Sequence, residues 1–171
     1  MNEMPTSNAS TTHNLSVYVA NQPGALARIA QVFARRGYNI DSLVVSPSVD
    51  GRFSRMTITA KGSAEGLDQV IRQLNKLIDV LRCVEHNGDN AIVKELAMIK
   101  IAAGEEERTA ALQIADHFGA KTVDLTARSM VVMTTGNSDK IDALVRMLAK
   151  YRVIELVRTG KVVMARGEEA T

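Results

Sequence analysis

Met56 and Met130, Gly62 and Gly136, Leu67-Asp68 and Ile141-Asp142, and Arg72 and Arg146 are all separated by one constant offset. Agreement at that many positions marks a duplicated structural unit rather than chance periodicity. The chain must therefore fold as two copies of one small motif, and each copy alone is too short to bury a generous core. Mutual support, or support from a second chain, is expected.

The order of elements within each copy follows from its apolar rhythm. Leu15, Val17 and Val19 alternate as in a strand over residues 15–20. Leu26, Ile29, Ala30 and Phe33 then recur at helical spacing over residues 24–36, with Gly37 as the stop. "YNIDSLVVS" and "RFSRMTITA" read as a hairpin turned at Asp50-Gly51, since both positions tolerate positive φ. After Gly62, a second helix over 64–77 places Leu67, Val70, Ile71, Leu74, Leu77 and Ile78 on one face, and "VLRCVEH" closes the copy as a strand. The polar stretch "NGDN", residues 87–90, is a linker.

The second copy repeats the order with "LAMIKIA", a helix over 105–118, the hairpin "KTVDLTA" and "SMVVMTT", the helix "IDALVRMLAKY" and the strand "RVIELVR". In its first helix Ala111, Ile114, Ala115 and Phe118 answer Leu26, Ile29, Ala30 and Phe33. "KVVMARG" reads as a short extra strand. Each copy is thus βαββαβ, an α+β unit with one antiparallel sheet and two helices on one side. Glu105, Glu106 and Glu107 open a helix, where negative charge is favourable; an acidic metal or substrate site is the alternative.

Charge and composition remove several functions. Lys+Arg 21 against Asp+Glu 19 gives a net +2 with both signs scattered, so no field points to nucleic acid or a membrane surface. Aromatics are 4% and tryptophan is absent, and "RFSRMTIT" offers one phenylalanine where an RNA-binding sheet needs several. No apolar run approaches the length of a membrane helix. The polar start, residues 1–13, reads as a flexible tail on a cytoplasmic protein. The single cysteine, Cys83, sits in a strand-like run and reads as a small buried hydrophobe in a reducing compartment. His13, His86 and His117 show no metal-ligand spacing, and no phosphate loop, nucleophile elbow or zinc helix occurs.

The junction "NQPGAL", residues 21–26, stands out because asparagine, proline and glycine meet where a strand hands over to a helix. One reading is a plain cap, with Asn21 or Gln22 accepting from the helix and Pro23 in its first turn. The other is an anion site. Glycine removes the Cβ that blocks approach, and the N–H groups of Gly24, Ala25 and Leu26 point outward at the positive end of the helix dipole. Asn21 can accept from an ammonium or donate to a carboxylate. The second copy reads "AAGEEER" at the same place, where its charge repels a carboxylate. Only the first copy keeps the anion-friendly version.

"LSVYVANQPGALARIAQVFARRGYNIDSLVVS" resembles the N-terminal ACT domain of the small, regulatory subunit of acetolactate synthase, and "RGYNIDSL" and "LIDVLRC" are specific to that subunit. The resemblance extends from Asn14 to the "RTG" and "ARG" of the C-terminal end. It implies two tandem ferredoxin-like units: an ACT domain over 14–88 for effector binding and dimerisation, and a C-terminal regulatory domain over 93–171. It further implies a non-catalytic chain in branched-chain amino-acid synthesis that activates a catalytic large subunit and confers valine feedback inhibition. No cofactor is expected on this chain; thiamine diphosphate, Mg2+ and FAD are expected on the catalytic subunit. Family ACT domains join sheets across a homodimer, with valine or another branched-chain amino acid between protomers. The implied effector site is Asn21, Gly24, Ala25 and Leu26 from one protomer, with Asn39 and Ile40 from the other. The alternative is a free-standing amino-acid sensor acting on another protein.

Overall fold

A computed structural model describes residues 11–86, 90–168 and 170–171. The expected tail therefore lies outside the described residues up to residue 10, and the expected linker does so over 87–89.

The first unit has the elements β1 (Thr11–Ala20), α1 (Ala25–Arg35), β2 (Ile40–Pro47), β3 (Phe53–Gly62), α2 (Ala64–Leu74) and β4 (Val80–Glu85). Its sheet has the order β2-β3-β1-β4, all antiparallel. Alternation puts Leu15, Val17 and Val19 of β1, with Met56, Ile58 and Ala60 of β3, on the face that receives the helices. Ile29, Val32 and Phe33 of α1 and Leu67, Val70 and Leu74 of α2 close this core.

The second unit comprises β5 (Ala91–Ala102), α3 (Glu105–His117), β6 (Lys121–Leu125), β7 (Ser129–Gly136), α4 (Ser138–Leu148) and β8 (Arg152–Arg158), with the matching order β6-β7-β5-β8. Ile99, Ile101, Met130, Val132, Leu144 and Leu148 are buried in a core of its own. The duplication reaches into the irregularities. The β1–β4 register shifts at Tyr18/Val19 and the β5–β8 register at Lys100/Ile101, while the β2–β3 register shifts at Ile40/Ser42 and the β6–β7 register at Thr122/Asp124. Such bulges are positioned features that re-aim a strand.

α2 and α4 match at the expected offset. Ser63 caps α2 by accepting from the Gly66 N–H, Asn137 caps α4 by accepting from the Lys140 N–H, and Leu67 and Ile141 are fully buried. α1 and α3 match differently from the expectation. Gly37 and Gly119 both turn left-handed (φ 71 and 63), and the Tyr38 and Ala120 N–H groups close back on the Phe33 and Ala115 carbonyls. Superposing these closures sets Ile29 against Ala111 and Phe33 against Ala115, not against Ile114 and Phe118. Leu26 is 41% exposed while Ala25 is buried. Positions three and four apart share a helix face, so an apolar pattern slides by nearly a turn without losing its match.

Several boundaries also move. β1 begins at Thr11, so the strand takes in part of the expected tail. His13 is buried there, with its Nδ1 2.6 Å from Glu85 Oε1 and its Nε2 2.7 Å from Thr11 Oγ1, polar pairings that apolar alternation cannot register. α2 stops at Leu74, and Ile78 is 97% exposed. The Asn75 side chain, just beyond, donates to the Cys83 carbonyl and accepts from the Cys83 N–H, tying the helix end to β4. The extra strand β9 (Val162–Ala165) pairs with β5, and Lys161–Thr171 sorts with the first compact unit while Val93–Gly160 forms the second.

Cys83 is a buried core residue, and burial pushes its thiol up to about 12. It should therefore stay silent to a thiol reagent at pH 8 in the native protein and react promptly once denaturant is added. Leu67→Ala and Ile141→Ala should each cost about 2–5 kcal/mol in a denaturant titration, the range for truncating a fully buried aliphatic chain.

Candidate functional site

The expected site residues of the first group meet at the end of β1. The Ala20 N–H donates to the Asp79 carbonyl at 2.8 Å and the Asn21 N–H to the Arg52 carbonyl at 2.9 Å, which anchors the chain between β4 and the hairpin turn. Asn21 Nδ2 adds a 2.9 Å bond to the Gly51 carbonyl. Gly24 then takes φ 85 and ψ −11, a left-handed conformation, and serves as the N-cap of α1 with no side-chain cap. Glycine is required here because a Cβ in this conformation costs about 1–2 kcal/mol.

Neither Asn21 nor Gln22 caps the helix with its side chain, and Pro23 precedes the cap instead of occupying the first turn. One expected donor is already committed, since the Ala25 N–H reaches the Gln22 carbonyl at 3.3 Å. The N–H groups of Gly24 and Leu26, in contrast, donate to nothing among the described residues. Asn21 is exposed, and its Oδ1 likewise accepts no bond among the described residues. An ammonium acceptor and anion donors thus stand within one short turn.

The structure adds a pair that sequence reasoning missed. Arg28 Nε donates to Asp79 Oδ2 at 2.5 Å, with the Asp79 side chain 9% exposed. This pair holds the guanidinium over the turn, where Nη1 would be 2.9 Å from a Cβ built on Gly24. A cation therefore reinforces the helix dipole beside the open N–H groups. A signal for it existed, because Asp79 is the lone acid in the apolar run "LIDVL".

Asn39 and Ile40 lie elsewhere. They sit at the entry to β2, past the closure of α1, whereas Gly24 is at the opposite end of that helix. Eleven residues of α helix span about 16 Å. Within one chain the two groups cannot share a small ligand. Asn39 is exposed and donates through Nδ2 to Asp41 Oδ1 at 3.2 Å; Ile40 is half-buried against the core. No residue other than glycine has positive φ among the described residues, so Asn39 is not there to relieve a left-handed turn.

The hairpin turn that receives Asn21 is itself braced. Asp50 accepts from the Ser48 hydroxyl at 2.6 Å and pairs with Arg52, and these hold its carboxyl down to about 2. In the second unit Glu105, Glu106 and Glu107 occupy the first turn of α3, and Glu107 accepts from the Gly104 N–H at 3.3 Å. Its helix start is closed by its own carboxylate. No cluster of three or more potential metal ligands occurs among the described residues, and no described helix is long and apolar enough to cross a membrane.

A βαββαβ unit with a left-handed glycine opening its first helix defines an ACT-domain protein here. Residues 15–82 match the model described as the AHAS small subunit-like ACT domain, and residues 94–167 match that described as the small subunit of acetolactate synthase. The chain is 41% identical over 161 residues to the acetolactate synthase small subunit of Mycolicibacterium smegmatis, covering 94% of this chain and 95% of that one. It is 40% identical to a probable acetolactate synthase small subunit of Archaeoglobus fulgidus, over 92% and 98% of the two chains. The crystal structure of the small subunit from Thermotoga maritima superposes with a TM-score of 0.84 at 31% identity, over 93% and 99%. The chain belongs to the acetolactate synthase small-subunit family.

Gly24→Ala should lower stability by about 1–2 kcal/mol in a denaturant titration, through left-handed strain and displacement of Arg28. Asp50 stabilises its turn above the ordinary carboxyl value of 3.8, and that contribution is lost as pH falls from there through about 2. A carbon-13 titration of the Asp50 carboxyl should have its midpoint near 2.

Proposed function

We propose that this chain is the regulatory subunit of acetolactate synthase, raising the activity of a catalytic large subunit and making it sensitive to valine. In this reading thiamine diphosphate, Mg2+ and FAD belong to the catalytic subunit, and this chain contributes binding and conformational coupling only. The observation that carries the proposal is the β1–α1 turn. A left-handed Gly24, undonated N–H groups and the Arg28 guanidinium suit a carboxylate, and the open Asn21 Oδ1 suits an ammonium. Those are the two charged groups of a free amino acid, with Leu26 exposed beside them for an apolar side chain.

Asn39 and Ile40 enter the site from a second copy. Among the described residues β2 is an edge strand, paired on one side by β3 and open on the other. Joining two such edges would extend the sheet and bring the β2 entry of one protomer toward α1 of its partner. A ligand held between protomers shifts the assembly only by binding one arrangement better than the other, so feedback follows from differential affinity.

The test is acetolactate formation by the catalytic subunit, alone and with this chain, across a valine titration. The chain should raise the rate and valine should then lower it; an unchanged rate would refute the regulatory role. Gly24→Asp should keep the activation but lose the valine response, because its carboxylate takes the ligand's place beside Arg28. Asn39→Ala should weaken valine binding by about 1–3 kcal/mol in calorimetry, the cost of an unpaired polar group. Its unfolding midpoint should not move, since Asn39 is exposed and bonded only to Asp41 among the described residues.

A further inference from the structure

Two glycines of the first unit are explained by space rather than by backbone conformation. Gly62 ends β3 and Gly66 lies in the first turn of α2, and neither has positive φ. Inside a helix glycine is poorer than every residue but proline, so Gly66 weakens the element that contains it. Both glycines face the ring of Tyr38. A Cβ on Gly62 would lie 2.7 Å from Tyr38 Cδ1, and a Cβ on Gly66 would lie 2.7 Å from Tyr38 Cζ and overlap the hydroxyl. Tyr38 is half-buried, packed against the core of the unit, and fills the notch that the two missing side chains leave.

The duplicate unit fills the same place differently. The closure that puts Tyr38 after α1 puts Ala120 after α3, each N–H donating back to its own helix. The offset that sets Ser63 against Asn137 sets Gly66 against Lys140. There the lysine stem runs over Gly136, with Cδ 2.7 Å from the position of a Cβ, and Nζ donates to the Thr135 carbonyl at 3.1 Å. A ring above a helix glycine in one unit answers an alanine beside a lysine in the other. The two positions differ together, so the glycine in α2 is there for Tyr38.

We infer that Tyr38 is a positioning residue for the effector site, locked in the Gly62–Gly66 notch so that Asn39 and Ile40 leave it in a fixed direction. The inference rests on the regulatory reading above and names what holds the half of the site that β2 supplies. Other ties there are few. Ile40 pairs with Ala60, and the β2–β3 register then slips before Ser42. Asn39 is exposed and bonded only to Asp41 among the described residues. The Tyr38 N–H fixes the backbone from one side, 3.0 Å from the Phe33 carbonyl. The seated ring fixes it from the other, because the notch admits one rotamer. A contact group left loose by about 1 Å forfeits the geometry of its hydrogen bond, so the seat preorganises the site.

The experiment measures valine affinity by calorimetry and stability by denaturant titration on full-length Gly66→Ala, Tyr38→Ala, the double variant and Tyr38→Phe. Gly66→Ala drives the ring out of its notch while improving the helix propensity of α2. Valine should bind at least about tenfold more weakly to it, to Tyr38→Ala and to the double variant, the scale of one lost hydrogen bond. The double variant should be more stable than Tyr38→Ala, because alanine replaces a helix glycine with no ring left to strike, yet bind valine no better. Tyr38→Phe keeps the ring seated and should bind as wild type does. Wild-type affinity in Gly66→Ala, a tenfold loss in Tyr38→Phe, or affinity that recovers with stability in the double variant would each overturn the inference and leave the regulatory reading standing. No valine binding by the wild-type chain, or undiminished binding by Asn39→Ala, would overturn the effector site itself and the inference with it.

Discussion

Burying one face of a four-stranded antiparallel sheet beneath two helices is the constraint on which each unit depends. With Leu15, Val17 and Val19 on the central strand β1 and Met56, Ile58 and Ala60 on β3 all directed to one side, α1 and α2 have a single place to lie. The chain leaving β1 must therefore turn sharply to start α1 over that face. Gly24 makes the turn by going left-handed. The candidate site is thus a by-product of packing: the geometry that seats the helix also opens its N-terminus to solvent.

Duplication lets the same constraint be met twice with different surfaces. Both cores are built alike, down to the paired bulges, whereas the solvent-facing positions have diverged. The first unit keeps an open helix start and a polar clasp between its helices. The second closes its helix start with Glu107 and opens an apolar seam at Phe118 and Met147. Each unit therefore presents a surface feature that the other lacks.

Much of this was legible from residues alone. The α+β class, the two-fold repeat and the α2–α4 correspondence follow from apolar period, the breaks at Gly62 and Gly136 and one constant offset, whereas the caps Ser63 and Asn137 that set the helix starts emerge from the structure. The α1–α3 correspondence slipped because nothing in "NQPGAL" and "AAGEEER" fixes a common start, and the shared closures at Gly37 and Gly119 lie at the far ends. Gly24 could be singled out from its neighbours, but its left-handed φ could not. Arg28 and Asp79 are fifty-one positions apart, so only the fold reveals them as a pair. The contribution proposed for Asn39 and Ile40 would require a second copy, which no single-chain pattern encodes.

The most direct test of the account is a nitrogen-15 amide spectrum of the full chain recorded with increasing valine. The account predicts that the largest shifts fall on Gly24, Ala25, Leu26 and Asn39 together, at opposite ends of α1, as a ligand bridging two protomers would produce. Shifts confined to the second unit, or to Gly24 and its neighbours with Asn39 unmoved, would contradict it.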